Sequence, residues 1–386
     1  MQDCNMKIVH LCLSCFYIDN YSYQENLLPK YHVKMNYDVT VIASSFSFND
    51  QGLGCYLEVP SEKMVEDGYK VIRLAYKKPY NLYRTLRRYE NLYKTIEKEA
   101  PDIIFSHGIS MADNTTILKY IKRNKYVKLY VDNHADYINS ARSFVSKNIL
   151  HKVIWKYYAK MLEPYMIRCW GVTPLRCRFV KEMYNIKSEK VAFLPMGVDD
   201  EMIPNEREKV RVMIRKKLGI NDNSVLIITG GKVDRRKNIH ILIDALNKLD
   251  NHNVHLVICG VLSPEMQYLY DAFNDKIHYM GWCTSQQVMD FMVAADIACF
   301  PGTHSTLWEQ SVGVGLPAIF KYWDEMNHVN VNDNCLFVKG EDVNDLENKI
   351  KFMIEPNNYF RIKINAELAA SKFRYSTIAK QSICAL

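Results

Sequence analysis

The chain has 386 residues, 48% hydrophobic and 24% charged, with a formal net charge of +7. That length suits about two domains and that composition an ordinary globular protein. No apolar run approaches the ~20 residues that span a bilayer, no signal-peptide layout opens the sequence, and eleven scattered cysteines fit a reducing compartment better than a disulfide framework, so a cytoplasmic location is expected.

Strand and helix signals alternate throughout, which predicts an α/β chain with parallel sheets. In the first half, strands are expected near 7–13, 38–44, 102–106, 127–132, 168–172 and 190–194. Helices fall between them, near 22–36, 80–99, 112–124, 143–164 and 175–185. Cys12-Leu13-Ser14-Cys15 has C-x-x-C spacing but no second pair, and reads as strand-end cysteines. Ser22-x-x-Glu25 predicts a capping box on the first helix. His107 and His134 each follow a strand, where a histidine serves either packing or chemistry.

Charge is uneven. Residues 1–190 carry 29 Lys+Arg against 19 Asp+Glu, the remainder 21 against 24. A basic first half suits an anionic surface or acceptor. The density peaks between Lys70 and Lys98, where Leu82, Leu86, Tyr89, Tyr93 and Ile96 fall at helical spacing. Such a helix either rests on anionic lipid with tyrosines at the headgroups, giving peripheral contact with a membrane, or is a plain amphipathic helix with a solvated basic face. No nucleic-acid motif accompanies the charge.

Phe193 to Asp199, with Pro195 and Gly197, reads as a link between two strand–helix series. The expected domains are 1–195 and 196–371, with a helix over 372–386 packing back on the first. Two doubly wound, Rossmann-like domains would then face each other across a cleft, with ligands at the carboxyl ends of both sheets. In the second half, strands are expected near 224–229, 254–259, 276–280, 297–300, 317–320 and 335–338. Helices are expected near 206–218, 239–249, 263–273, 285–294, 306–314 and 342–354. Thr284-x-x-Gln287 is a second capping-box candidate.

The strand Val225 to Ile228 runs into Gly230-Gly231-Lys232-Val233-Asp234-Arg235-Arg236-Lys237-Asn238, and an amphipathic helix follows. Glycine lets backbone approach a ligand, and a helix start offers free N–H groups and a positive dipole end. Lys232 and Lys237 placed there suit a diphosphate; the plain alternative is a solvated basic turn. A second strand, Ile297 to Phe300, repeats the pattern into Pro301-Gly302-Thr303-His304-Ser305-Thr306 and a helix carrying Glu309 near its start. Backbone N–H groups from Thr303 to Thr306 would add to anion binding. His304 either positions a phosphate or sugar hydroxyl or caps the turn, and Trp282 either packs or stacks on a base.

Taken together, these segments resemble the GT-B-fold retaining glycosyltransferases, the large group 1, family 4-like set that builds bacterial surface polysaccharides from nucleotide sugars. The resemblance covers nearly the whole chain. It runs through Tyr23 to Pro29, Pro101 to Gly108, Asp132-Asn133-His134-Ala135-Asp136, Val172-Thr173-Pro174, Leu194 to Asp199 and the Gly231-Lys232…Lys237-Asn238 turn. It implies that Lys232 and Lys237 clamp the diphosphate and that Glu309 holds the ribose hydroxyls. It further implies that His134 faces the donor sugar and that Gly281-Trp282 meets the nucleobase. One departure stands out. Pro301 occupies the position of the family's first paired glutamate, so the usual carboxylate contact to the donor sugar is missing or replaced by the Gly302 to Ser305 loop.

Departure of a nucleoside diphosphate leaves negative charge that the site must stabilise. No Asp-x-Asp ends a strand in a setting that suggests a metal bridge, so lysines are expected in place of Mg²⁺, with no metal and no cofactor beyond the nucleotide-sugar donor. In retaining transfer the leaving phosphate oxygen can itself take the acceptor's proton. The function expected is transfer of a sugar from a UDP- or GDP-sugar to a lipid-linked or oligosaccharide acceptor. The alternatives are a sugar-nucleotide epimerase of the same fold and a catalytically silent sugar- or nucleotide-binding subunit.

Overall fold

The computed structural model describes residues 6–49, 53–249, 251 and 253–384. The chain divides into two compact units, one running to Pro195 and resumed from Ile378 onward, the other Met196–Thr377. Residues 1–5 of the expected first domain and residues 385 and 386 of the expected terminal helix lie outside the described residues.

In the first unit, runs rich in Val, Ile and Leu form a sheet of eight strands among the described residues. Edge to edge they are Val191–Phe193, Met166–Gly171, Lys128–Asn133, Ile103–Ser106, Lys7–Cys12, Asp38–Ser44, Lys70–Leu74 and Ser61–Met64. All neighbours pair in parallel except Ser61–Met64, which runs against Lys70–Leu74. Strands buried on both faces read as continuous apolar runs. The central strand Lys7–Cys12 pairs with Asp38–Ser44 on one side and Ile103–Ser106 on the other. The strand order reverses there, and a doubly wound sheet opens a crevice at such a point.

The helix expected over 80–99 is two short helices, Tyr80–Leu86 and Leu92–Glu99. Between them Arg87 and Asn91 adopt left-handed conformations. Tertiary hydrogen bonds override the helical spacing. Arg87 donates to Ser14 Oγ (2.5 Å) and the Ser110 carbonyl (2.6 Å), and the buried Tyr89 hydroxyl donates to the Leu13 carbonyl at 2.7 Å. The continuous lipid-facing stripe is therefore not formed. The first helix, Gln24–Lys34, is entered through Tyr23, whose side chain makes no cap, one residue after the Ser22 at which the capping box was expected. The wide helix Ser146–Trp155 continues as the α-helix Lys156–Leu162.

The second unit holds a six-stranded parallel sheet among the described residues. Its order is Ile277–Tyr279, Val254–Cys259, Val225–Gly230, Ile297–Phe300, Ala318–Lys321 and Cys335–Val338. From Val225–Gly230 the chain builds outward to one side, then returns to build the other from Ile297–Phe300. The two adjacent carboxyl ends carry the Gly230–Asn238 and Pro301–Thr306 turns. Apolar layers cover both faces, one around Trp308, Phe320 and Met292, the other around Leu242, Leu256 and Ile350. The capping box on Ser285–Ala294 is formed: Gln287 N donates to Thr284 Oγ1, and Thr284 N donates to Gln287 Oε1.

Candidate active site

The two turns of the second unit interlock through glycine. A Cβ on Gly302 would lie 2.3 Å from the Lys237 carbonyl carbon and 2.4 Å from Arg236 O, so only glycine admits this approach. Gly231 has φ +103°, a conformation that a side chain resists. Thr303 N donates to Arg236 O at 2.9 Å, which stitches the turns together. That bond spends the Thr303 N–H, so this amide is not available to a ligand as the sequence suggested.

Lys237 is half-buried and donates through Nζ to the Thr303 carbonyl at 2.7 Å, with the His304 carbonyl at 3.4 Å. No carboxylate lies within ion-pair distance of it among the described residues. Burial dominates and brings its pKa down to about 8, with Asp234 opposing and Arg236 adding to the shift. Asp234 is occupied instead by the Arg236 guanidinium at 2.6 Å. Lys232 projects into solvent, and its side chain makes no hydrogen bond or ion pair among the described residues. Arg235 is exposed.

Glu309 sits in the first turn of Leu307–Val314 and is fully buried. Its Oε1 accepts from His304 Nε2 at 2.7 Å and His328 Nε2 at 2.8 Å. Burial pushes its pKa up, but His304 and His328 outweigh that and hold it well below the usual carboxylate range. Its Oε2 is buried and has no hydrogen-bond partner, and neither does Ser305 Oγ in the same turn. Unspent buried polar atoms are uncommon in a finished protein and mark a place for a ligand. Trp282 is 72% exposed, so the packing reading of this ring is excluded. Thr306 is exposed at the helix start.

The first unit carries its own constellation at the carboxyl ends of Ile103–Ser106 and Lys128–Asn133. Asp132 is fully buried. Its Oδ1 accepts from Gly108 N at 2.6 Å, and its Oδ2 from Gln24 Nε2 at 3.0 Å and His107 Nδ1 at 3.0 Å. His134 Nε2 lies 3.4 Å from the same Oδ2, an ion-pair distance without hydrogen-bond alignment. Burial pushes the Asp132 pKa up, and His134 and His107 outweigh it, so the carboxyl stays ionised. Burial likewise opposes charge on His134, yet Asp132 carries its pKa above the usual histidine value.

Among the described residues, two groups bring three metal-type side chains close, Cys15 with Glu25 and His134, and His304 with Glu309 and His328. In the first, burial pushes the Cys15 thiol far above its ordinary pKa, and a protonated thiol is a poor ligand. In the second, the imidazole-to-carboxylate separations are hydrogen-bond lengths, so the group closes on itself. Cys12 and Cys15 are free thiols.

Residues 211–367 match the family model for glycosyl transferases group 1. A curated relative, the UDP-Gal:alpha-D-GlcNAc-diphosphoundecaprenol alpha-1,3-galactosyltransferase of Escherichia coli, is 23% identical over 303 residues, 71% of each chain. Among solved structures, Anabaena HepE in complex with UDP superposes with a TM-score of 0.68 at 16% identity, covering 97% of this chain and 98% of that one. WaaG, a glycosyltransferase involved in lipopolysaccharide biosynthesis, gives 0.64 at 14% identity, covering 97% and 98%. The group 1 match thus lies in the second unit, and the chain is a glycosyltransferase. Its fold is GT-B, built from two Rossmann-like domains.

In this glycosyltransferase the second-unit turns bring together Lys237, Thr303, His304, Ser305 and Glu309, while Lys232 and Trp282 stand in solvent. Sequence reasoning missed His328, which lies in the irregular segment after Ala318–Lys321, where no periodicity marks it. It also missed Asp132 as the group that holds both His107 and His134. That residue was visible only as the start of the Asp132 to Asp136 motif.

Proposed function

We propose that this glycosyltransferase takes its sugar from a nucleotide-diphosphate donor, a UDP- or GDP-sugar, bound at the interlocked turns of the second unit. The observation that carries this reading is the half-buried Lys237 ammonium, which has backbone carbonyls but, among the described residues, no carboxylate within ion-pair distance to neutralise it. The turn it bonds leads through Ser305, whose buried hydroxyl is unspent, to Glu309, whose buried Oε2 is unspent as well. A diphosphate would supply the missing charge, and growing negative charge on the leaving phosphate would be met by Lys237, with Lys232 swinging in from solvent. Glu309 Oε2 suits a ribose hydroxyl as donor, and Trp282 suits the face of the base. His134 serves the transfer step, its charge set by Asp132. Retention, independence of metal, and a lipid-linked or oligosaccharide acceptor in surface-polysaccharide assembly complete the proposal. The galactosyltransferase relative named for a diphosphoundecaprenol-linked substrate and the basic first half support the acceptor assignment.

The test is a panel of nucleotide sugars by thermal shift, followed by turnover with undecaprenyl-diphosphate-linked acceptors in the presence of EDTA. A ligand at 100 times its Kd stabilises the folded state by about 2.7 kcal/mol. Donor binding, transfer in EDTA, and a product whose anomeric configuration by NMR matches the donor's are expected. Inversion, or no shift with any nucleotide sugar at millimolar concentration, overturns the proposal.

A further inference from the structure

Three buried histidines of the first unit stand in single file behind Asp132. His107 Nδ1 lies 3.0 Å from Asp132 Oδ2, His107 Nε2 lies 3.0 Å from His10 Nδ1, and His10 Nε2 lies 2.9 Å from His32 Nδ1. His32 Nε2 closes the file 3.1 Å from both the Ala379 carbonyl oxygen and Ser382 Oγ. All three rings are fully buried, and successive rings are inclined by only 25° and 28°.

Counting protons along the file constrains it. Four links join three rings to their two ends, and both end groups, an ionised carboxylate and a backbone carbonyl, only accept. Filling every link takes four protons, while three neutral imidazoles bring three. Asp132 already accepts from Gly108 N and Gln24, so it remains the acceptor and His107 holds its proton on Nδ1. His10 and His32 must then do the same, which leaves His32 Nε2 bare against the carbonyl. Among the groups at that end, the Ser382 hydroxyl can donate to it. The same hydroxyl can instead donate to Ala379 O at 2.8 Å. If it turns there, the fourth link is filled only when His32 carries a proton on both nitrogens, the file taking one proton from water. A single rotor thus separates a neutral file from a singly charged one. Burial favours the neutral state, holding His10 well below the ordinary histidine pKa and His32 at about 4.

We propose that His107, His10, His32 and Ser382 form a positioning relay by which the Tyr375–Ser382 helix fixes the orientation of Asp132 and, through it, the charge state of His134. The relay rests on the reading of His134 as a participant in transfer only for its catalytic consequence. The groups that face His134 are Asp132, Glu25, Cys15 and Arg176. The first two favour its charged form and Arg176 opposes it.

Histidine-selective ¹⁵N NMR on the unaltered protein gives the first check. Neutral Nδ1–H tautomers are expected for His107, His10 and His32, and a neutral Nε2–H His107 overturns the relay. Ser382→Ala removes the donor and leaves a bare His32 Nε2 against the Ala379 carbonyl, so the file is expected to take up its proton at higher pH than in the unaltered protein and to lower the His134 pKa by about 0.5–1 pH units, the effect of one more buried positive charge nearby. Ser382→Thr, which keeps the hydroxyl, is expected to restore it. An unmoved His134 titration in Ser382→Ala overturns the proposal. If the titration moves, the matching limb of the kcat–pH profile should move with it while donor KM stays constant. A moved titration with an unmoved kcat profile supports the relay and removes His134 from the transfer step.

Discussion

Each unit of this glycosyltransferase buries one carboxylate between two histidines, and the two carboxylates differ in what is left over. Asp132 has both oxygens occupied, by the Gly108 amide, Gln24 and His107, with His134 beside them. Glu309 receives both of its histidines on one oxygen and leaves the other without a partner. A saturated buried carboxylate is scaffold, because any change strands donors that have no water to turn to. An unsaturated one has capacity for a ligand, at some cost in stability while it waits.

The sharpest way to break this contrast is to replace each acid by its amide. In Asp132→Asn the new amide faces donors from Gln24 and His107, and the loss of a buried charge from its partners is expected to cost about 3–5 kcal/mol, read by urea denaturation. Glu309→Gln keeps an oxygen for the two histidines, so it is expected to cost about 1–2 kcal/mol while weakening nucleotide-sugar binding. Equal losses of stability would erase the distinction.

Lys237→Ala extends the comparison to the neighbouring cation. It is expected to lower kcat/KM about 100- to 1,000-fold, the loss typical of a donor to developing charge, without lowering the melting temperature. Its pH signature has two opposite limbs. The folded pKa of about 8 lies below the ordinary lysine value of 10.5, so the native state sheds this proton first. Between those values stability should therefore rise with pH, while affinity for the donor, measured by calorimetry, should fall as the ammonium is lost. The smallest effect is expected for Trp282→Ala, about 1 kcal/mol or roughly fivefold in donor Kd, with stability unchanged because the ring is exposed.

The strands Val254–Cys259, Ile297–Phe300 and Cys335–Val338 were legible to the residue because a parallel strand between covering layers reads as an apolar run, interrupted here only by His255. The glycine turns were legible because close approach leaves no other residue type. The segment 46–74 was not. Ser61–Met64 is an exposed edge strand of mixed polar residues without a two-residue alternation, and Phe46–Phe48, which among the described residues pairs with Gly54–Tyr56, is too short for its alternation to register. The 80–99 stripe misled because helical spacing says nothing of a guanidinium drawn 73 residues away to Ser14. His328 and the His10–His32–His107 file escaped notice for the same reason. Their partners are distant in sequence, and a lone histidine carries no local mark of what it will meet.

The first unit is a discontinuous piece of chain. Its sheet residues Tyr130, Trp170 and Phe193 are tied to Ile383, Ser382 and Gln381, through bonds of 2.7, 2.8 and 3.1 Å. On the ribosome those partners emerge only after the whole of Met196–Thr377 has been made. At about 5–20 residues per second, the amino-terminal half must wait with Trp170 unsatisfied while the younger half completes its own core. The order of assembly is then inverted relative to the order of synthesis, and a nascent chain stalled before residue 378 would present an open first sheet to chaperones.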